Sequence, residues 1–336
     1  MNIQQAIAQL ITNKNLEQEE AREVMEQIMS GGATDAQIGA YLIALRMKGE
    51  NVAEIAGSAQ AMRDKALRVN APGTVVDTCG TGGDGSGTFN ISTTAAFAVA
   101  ACGVTVAKHG NRSISSKSGS ADLLKSLGVN IDAPPEVVEK CLEKAGIGFL
   151  FAPKHHGAMR HALGPRKELG LRTIFNLLGP LTNPAAAPHQ LIGVYDGRWT
   201  EPLARVLGRL GSKRALVVHG SDGLDEITTT GPTRVTTLDN GEITTTTIEP
   251  EQFGLTRVTP EALLGGDPEE NAAITRGILE GREGPQRDIV ALNAGAALFA
   301  VGAAPDIGVG VALATSALAE GRGKERLDLL VEHSNA

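Results

Sequence analysis

Four groups of residues in this chain have the types and spacing for chemistry on an oxyanion. The first runs from Val75 to Ser92, V-V-D-T-C-G-T-G-G-D-G-S-G-T-F-N-I-S. A β-branched run there ends in Gly80, Gly82, Gly83, Gly85 and Gly87, and the apolar segment Thr93–Cys102 that follows reads as a buried helix. Glycines at that density pack poorly but expose backbone N–H groups. A strand, such a loop and a helix N-terminus in succession make an anion cradle. Thr81, Ser86, Thr88, Asn90, Ser92 and Thr93 add hydroxyl and amide groups suited to a poly-oxyanion once water is excluded. No Gly-Lys-Ser/Thr closes the loop, so it is not a Walker P-loop, and Gly80-Thr81-Gly82 lacks the spacing of a dinucleotide fingerprint.

The second group, Lys108-His109-Gly110-Asn111-Arg112-Ser113, falls at the carboxyl end of the strand-like run Val104–Ala107, and Ser115–Ser120 follows it toward a helix. Ligands of open α/β sheets bind beyond the carboxyl ends of strands, so this reads as a second phosphate-type loop. The third is Ser221-Asp222-Gly223-Leu224-Asp225-Glu226, after the run Ala215–Val218. Carboxylates so placed suit Mg²⁺, which keeps several waters and takes one or two carboxylates plus substrate phosphates. By residue type alone, Asp222 competes for that role. The fourth is Arg166, with His155-His156 and Met159 upstream. No third ligand lies near the paired histidines, so a metal is not expected there, and Arg166 taken alone reads as a surface ion-pair partner.

These groups need a scaffold. Residues 1–69 show helical periodicity without a strand: Ile3, Ala6, Ile7, Leu10 and Ile11 keep one apolar stripe. Asn15 is expected to cap a second helix that stops at Gly31-Gly32. Thr34 with Gln37, and Asn51 with Glu54, make capping boxes for a third and fourth. From Thr74 the pattern alternates. Strand runs at Ile147–Ala152, Leu191–Tyr195 and Ala215–Val218 interleave with helical stretches at Leu123–Leu127, Val137–Lys144 and Pro202–Leu210, which predicts a largely parallel sheet. Asp239-Asn240-Gly241-Glu242 between two threonine-rich runs predicts an antiparallel hairpin. Helices are expected again at Glu269–Glu280, Gln286–Ala303 and Gly308–Gly321, and the stretch 165–185 is expected to return onto the N-terminal helices.

The fold class is therefore α/β: a small N-terminal helical domain and a larger α/β domain whose central, mostly parallel sheet is flanked by helices. The domains are read as 1–70, joined by 165–185, and 71–164 with 186–336. A formal net charge of −7 argues against non-specific nucleic-acid binding. Three cysteines without metal spacing suit a reducing compartment. With no basic leader and no run of 18 apolar residues, the expected location is the cytoplasm, away from membranes.

In this order the motifs resemble the anthranilate phosphoribosyltransferases. The resemblance rests on Gly80-Thr81-Gly82-Gly83-Asp84-Gly85, Asn90-Ile91-Ser92-Thr93, Lys108–Ser120, Arg166-Lys167-Glu168-Leu169-Gly170, Asn176–Pro184 and Asp225-Glu226, and it covers nearly the whole chain. It implies a Mg²⁺-dependent transfer of phosphoribose from phosphoribosyl pyrophosphate to anthranilate, with two ions present when pyrophosphate is bound. It also implies a homodimer formed through the helical domains. The donor would meet Gly80, Gly83, Asp84, Thr88, Asn90, Ile91, Ser92, Thr93, Lys108, Asn111, Arg112, Ser113, Ser116 and Ser120. Ser92, Asp225 and Glu226 would serve the metal. Anthranilate would meet Gly80, His109, Asn111, His155, Met159 and Arg166, and Lys108, Asn111 and Arg166 would carry the catalytic step. The family commonly shows His-Pro-Ala-Met and Pro-Val-Arg where this chain has His156-Gly157-Ala158-Met159 and Gly164-Pro165-Arg166, so the segment placing Arg166 is expected to be looser. Two alternatives share the fold: a pyrimidine nucleoside phosphorylase and a non-catalytic paralogue that binds nucleic acid.

Overall fold

The computed structural model describes residues 1–112 and 117–336. The expectations for Ser113 and Ser116 lie outside the described residues. Four helices open the chain: α1 (Ile3–Leu10), α2 (Gln18–Met29), α3 (Asp35–Lys48) and α4 (Val52–Lys65). The two capping boxes form as the sequence predicts. Gln37 N–H donates to Thr34 Oγ1 at 3.3 Å and Glu54 N–H donates to Asn51 Oδ1 at 2.9 Å. Asn15 does not cap α2. The cap is Glu17, whose N–H donates to Glu20 Oε2 at 2.9 Å, while Asn15 Oδ1 accepts from Lys48 Nζ at 3.0 Å.

Seven strands form one sheet: β1 (Val75–Gly80), β2 (Thr105–Gly110), β3 (Ile147–Phe151), β4 (His189–Gly193), β5 (Arg214–Gly220), β6 (Thr233–Asp239) and β7 (Glu242–Ile248). Their order is β3-β2-β1-β4-β5-β6-β7, with β1 to β5 parallel and the last two antiparallel additions. The hairpin turns on Asn240 (φ 49°) and Gly241 (φ 94°), the positive pair that an Asn-Gly turn supplies. β2 runs on through Lys108, His109 and Gly110 instead of ending at Ala107, because those residues pair with Phe149, Leu150 and Phe151 of β3.

Alternation along the strands sorts the core between the two faces of the sheet. Val76, Val106, Leu191, Leu216 and Val218 pack on one face with α5 (Ile91–Ala101). Ten of the eleven α5 residues are buried, as a helix apolar all round requires. On the other face, Cys79, Ile192, Ala215 and Val217 join a cluster that continues into Leu10, Met25, Ile28, Leu42 and Ile55 of the N-terminal helices. The stretch after β3 returns to those helices as expected, bringing Ala162, Phe175, Leu178 and Leu181 into the same cluster. Gly164 and Pro165 lie inside a helix (Arg160–Leu169) that ends at Gly170 in the left-handed region. A last helix, Arg322–Ser334, goes beyond the expected end at Gly321; charged residues dilute its stripe, which buries Leu327 and Leu330.

The chain leaves β1 for β2 and β3 on one side and returns to β4 on the other. The gap between the carboxyl ends of β1 and β4 is therefore the switch point where open α/β sheets bind ligands.

Glu54 ties the helical unit together. Fully buried, it accepts from Leu16 N–H and Lys48 Nζ at 3.0 Å each and from Asn51 N–H at 2.9 Å. Glu54→Ala strands the buried Lys48 ammonium and is expected to cost about 3–5 kcal/mol, read as a lower denaturation midpoint; a change under about 1 kcal/mol would show that the pair contributes only as a surface bridge does.

Candidate functional site

The switch point is shaped by glycine. Gly80 and Gly193 are register partners at the ends of β1 and β4, and a Cβ on either would overlap Asp225. The missing side chains let the Asp225 backbone lie across the strand ends. Thr81 N–H donates to Gly193 O at 2.9 Å, and Tyr195 N–H donates to Thr81 Oγ1 at 3.0 Å, anchoring the start of the loop. Gly82, Gly83, Gly85 and Gly87 then take φ values of 68°, 75°, 77° and 70°, which L side chains rarely adopt. The far end is clamped by Phe89 N–H to Leu263 O at 3.2 Å and Gly265 N–H to Gly87 O at 2.9 Å.

Three carboxylates gather on this loop. Gly82 N–H donates to Asp225 Oδ2 at 2.7 Å, and Asp225 N–H reaches Asp84 Oδ2 at 3.5 Å. Ser86 binds Asp84 twice, through its N–H at 3.2 Å and its hydroxyl at 2.8 Å. Glu226 Oε1 accepts from Ser92 N–H at 3.1 Å, at the start of α5. Burial, then Asp84 and Glu226, push the Asp225 carboxyl well above the usual range. Burial pushes Glu226 up to about 7, against the pull of Lys108 and Ser92. Asp222, the rival by residue type, is spent on a turn: it accepts from Thr228 Oγ1 at 2.7 Å, Thr230 Oγ1 at 2.6 Å and Leu224 N–H at 3.1 Å.

Strand alternation divides the β2 residues between the two faces. Lys108 points toward α5, where its ammonium donates to Thr78 O and lies 3.5 Å from Ser92 Oγ. His109 points the other way, its ring edge-on to His156 at 5.2 Å. Below both, buried Asp77 accepts from His109 N–H at 3.1 Å and from Asn183 Nδ2 at 2.7 Å. Burial, with His156 and His155 beside it, holds the His109 imidazole well below its ordinary pKa, and burial brings His156 to about 4. Both rings leave a buried Nε2 without a hydrogen-bond partner. His155 Nδ1 lies 2.9 Å from Leu67 O.

The other expected residues divide. Asn111 O accepts from Ser120 Oγ at 3.1 Å, joining those two. Thr88 stands 3.4 Å from Ser86 Oγ, and Thr93 is buried. Arg112 pairs with Asp122 at 3.0 Å and stacks on Phe151. The Ile91 side chain is in the core and its N–H goes to Phe89 O at 2.8 Å. Asn90 Nδ2 donates to Ser118 O at 3.1 Å, while its Oδ1 accepts from Asn271 Nδ2 at 3.0 Å. Met159 lines a small cleft with Met29, Met62, Lys65, His156 and Ala158. Arg166 is half-buried with its guanidinium 4.9 Å from the Phe175 ring centre, and no carboxylate pairs with it among the described residues.

Two residues escaped the sequence reading. Gly193 gives no local signal, since a single glycine in a strand run is ordinary. Arg172 donates to Gly83 O, lies 4.2 Å from the Tyr195 ring centre, and has its own carbonyl held by Arg46 of α3 at 2.6 Å. It thus links the helical unit to the glycine loop.

Among the described residues no three His, Cys, Asp or Glu side chains converge as a closed metal cage. Proximal carboxylates with raised pKa values instead fit a hard cation that takes its remaining ligands from phosphate and water.

Fold and site together define a two-part glycosyl transferase. Residues 4–66 match the helical bundle domain of the glycosyl transferase family and residues 72–324 match its a/b domain. The chain is 56% identical over 326 residues to an anthranilate phosphoribosyltransferase of Moorella thermoacetica, covering 97% of this chain and 96% of that one. A crystal structure of anthranilate phosphoribosyltransferase from Thermus thermophilus superposes with a TM-score of 0.94 at 48% identity, covering 98% of this chain and 99% of that one. The Saccharomyces cerevisiae enzyme in complex with PRPP and Mg gives 0.89 at 26% identity, covering 99% and 98%. The chain belongs to the anthranilate phosphoribosyltransferase family.

The raised Glu226 value has a sign that can be measured. A folded carboxyl that keeps its proton to about pH 7 binds more protons than its unfolded counterpart, so stability falls as pH rises through that window. Asp225 acts in the same direction. The melting temperature of the metal-free protein is expected to fall between about pH 5 and 7 and to fall less in Glu226→Gln; equal slopes in the two proteins would reject the assignment.

Proposed function

We propose that this chain transfers the phosphoribosyl group of 5-phosphoribosyl 1-pyrophosphate to the amine of anthranilate, giving N-(5-phosphoribosyl)anthranilate and pyrophosphate in tryptophan biosynthesis. The observation that carries the reading is the acidic pair Asp225-Glu226 held against a glycine loop at the sheet's switch point, in a chain of this family. Gly80, Gly83, Asp84, Thr88, Ser92, Thr93, Lys108 and Ser120 border the donor. Asn90, Asn111 and Arg112 contribute once their present internal bonds open. Ser92, Asp225 and Glu226 would hold magnesium, two ions when pyrophosphate is bound. Magnesium, when bound, neutralises charge on the departing pyrophosphate.

The residues' own work is electrostatic and positional. Loop N–H groups border the place where negative charge builds as the C1–O bond breaks and are set before the reaction begins, and the Lys108 ammonium joins them once it leaves Thr78 O. No protein nucleophile is needed, because the sugar leaves as an oxocarbenium-like species. The aromatic amine is already unprotonated at neutral pH, so it needs orientation near C1 more than a base. His109 and His156, held neutral, line the acceptor side without adding charge. Arg166, free of any carboxylate among the described residues, anchors the anthranilate carboxylate with two parallel bonds. The acid pair and family membership favour this reading over a nucleoside phosphorylase or a nucleic-acid-binding paralogue.

The subunits are read as pairing through the helical unit, where Ile11, Met47 and Leu163 are 71%, 84% and 56% exposed at the end of α1, on α3 and on the 160–169 helix. Three free cysteines suit a reducing cytoplasm. Among the described residues, no helix is long and apolar enough to cross a membrane.

The test is the loss of anthranilate fluorescence with donor and Mg²⁺; no consumption by the wild-type protein would reject the function. Arg166→Ala should raise the anthranilate KM about ten- to a hundredfold with the donor KM little changed, and an unchanged anthranilate KM removes Arg166 from the site. Light scattering should give a dimer mass that Met47→Asp with Leu163→Asp halves; a monomeric wild type refutes the pairing.

A further inference from the structure

Behind the acidic pair, a buried amide side chain holds the backbone of the turn. Asn293 lies in the helix Pro285–Ala300, on a stretch of Ile289, Val290, Ala291, Leu292, Ala294 and Ala296 that is buried throughout. It is itself fully buried. An asparagine there is unfavourable for the helix, which Ala would suit better, and for the core, where an amide must find partners.

Those partners lie on the acidic turn. Asn293 Oδ1 accepts from Ile227 N–H at 2.9 Å, and Asn293 Nδ2 donates to Ile227 O at 2.8 Å. The second amide hydrogen goes to Ile289 O at 2.9 Å, one turn back on its own helix. The side chain thus grips both polar groups of one backbone residue, as a neighbouring β-strand would, and both of its donors are used. The residue gripped is the one directly after Asp225-Glu226, and its side chain is locked in the core. Peptide planes are rigid, so fixing both groups of Ile227 fixes the direction in which Glu226 leaves the chain.

On the other side, the carboxylates are held by the loop they serve: Gly82 N–H on Asp225 and Ser92 N–H on Glu226. The amide clasp holds the turn from behind with neutral hydrogen bonds in a water-free place, where such bonds are strongest.

We propose that Asn293 is a positioning residue for the metal-binding carboxylates, holding Asp225-Glu226 at the spacing that magnesium pyrophosphate needs. The proposal rests on the functional reading above. The main variant is Asn293→Leu, which fills the volume with an apolar side chain and removes the clasp. It should raise the Mg²⁺ concentration for half-maximal turnover at least about tenfold and lower kcat at least about tenfold, with the anthranilate KM within about twofold. Calorimetric titration with magnesium pyrophosphate should show a matching loss of affinity. A folded variant whose magnesium dependence and kcat stay within about twofold of wild type overturns the proposal. If Asn293→Leu does not fold, hydrogen exchange on the wild-type protein decides: the Ile227 amide should exchange only with the slowest core amides, and fast exchange overturns the clasp. The pyrophosphate titration and the exchange measurement need no anthranilate turnover, so they test the clasp even if the wild-type protein fails to consume anthranilate.

Discussion

The tightest constraint in the molecule is the approach of Asp225 to the ends of β1 and β4. Two strands that meet in register at Gly80 and Gly193 leave no side chain between the sheet and the acidic turn. Everything around the cleft follows from that approach. The glycine loop can fold back until Gly82 donates to the carboxylate, Thr81 can bond across to Gly193, and α5 can begin close enough for Ser92 to meet Glu226. A methyl group on either strand end would push the acids away from the loop. Shape therefore comes before charge here: carboxylates are common on protein surfaces, but few are placed against an unobstructed backbone.

The charges that this geometry gathers repel one another. Asp84, Asp225 and Glu226 lie together near Lys108, and the carboxyls of Asp225 and Glu226 are pushed toward their protonated forms. That condition serves a protein whose ligand brings its own cations. A site fully neutralised by its own residues would have to break its ion pairs to take magnesium. A cation entering here would displace protons and have no such ion pair to break. Lys108 meanwhile points down toward Thr78 O, within reach of the same cleft but bonded to the backbone. The acceptor side follows the opposite rule. Burial lowers the pKa values of His109, His155 and His156, with neighbouring histidines adding to it at His109 and His156, so these rings stay uncharged at neutral pH.

Much of this was legible in the residues because it is local. Glycine density announced the cradle, Thr34 and Asn51 with their partners three residues on announced their helices, and Asn240-Gly241 announced its hairpin. What could not be read was set by distant partners. Asn15 looks like a cap until Lys48 claims its side chain. Asp222 and Asp225 differ only in what they meet after folding, threonines in one case and a glycine loop in the other. Asn90 sits in the motif, yet its amide is committed to Ser118 and Asn271, the latter 181 residues away. Gly193 and Arg172 have no sequence neighbourhood that marks them, because their meaning lies across the sheet. The last helix was hidden by its own charge, with Leu327 and Leu330 carrying its buried side.

The continuous cluster joining the N-terminal helices to the sheet has a consequence for how the protein is made. Leu10, Met25, Ile28 and Leu42 complete their packing only with Phe175, Leu178, Ile192, Leu203 and Val217, which emerge far later from the ribosome. At roughly 5–20 residues per second, the first helices wait on the order of ten seconds for those partners. During that interval they form an apolar surface without a cover. The part synthesised first is thus among the last to be finished, its apolar surface open until the sheet arrives.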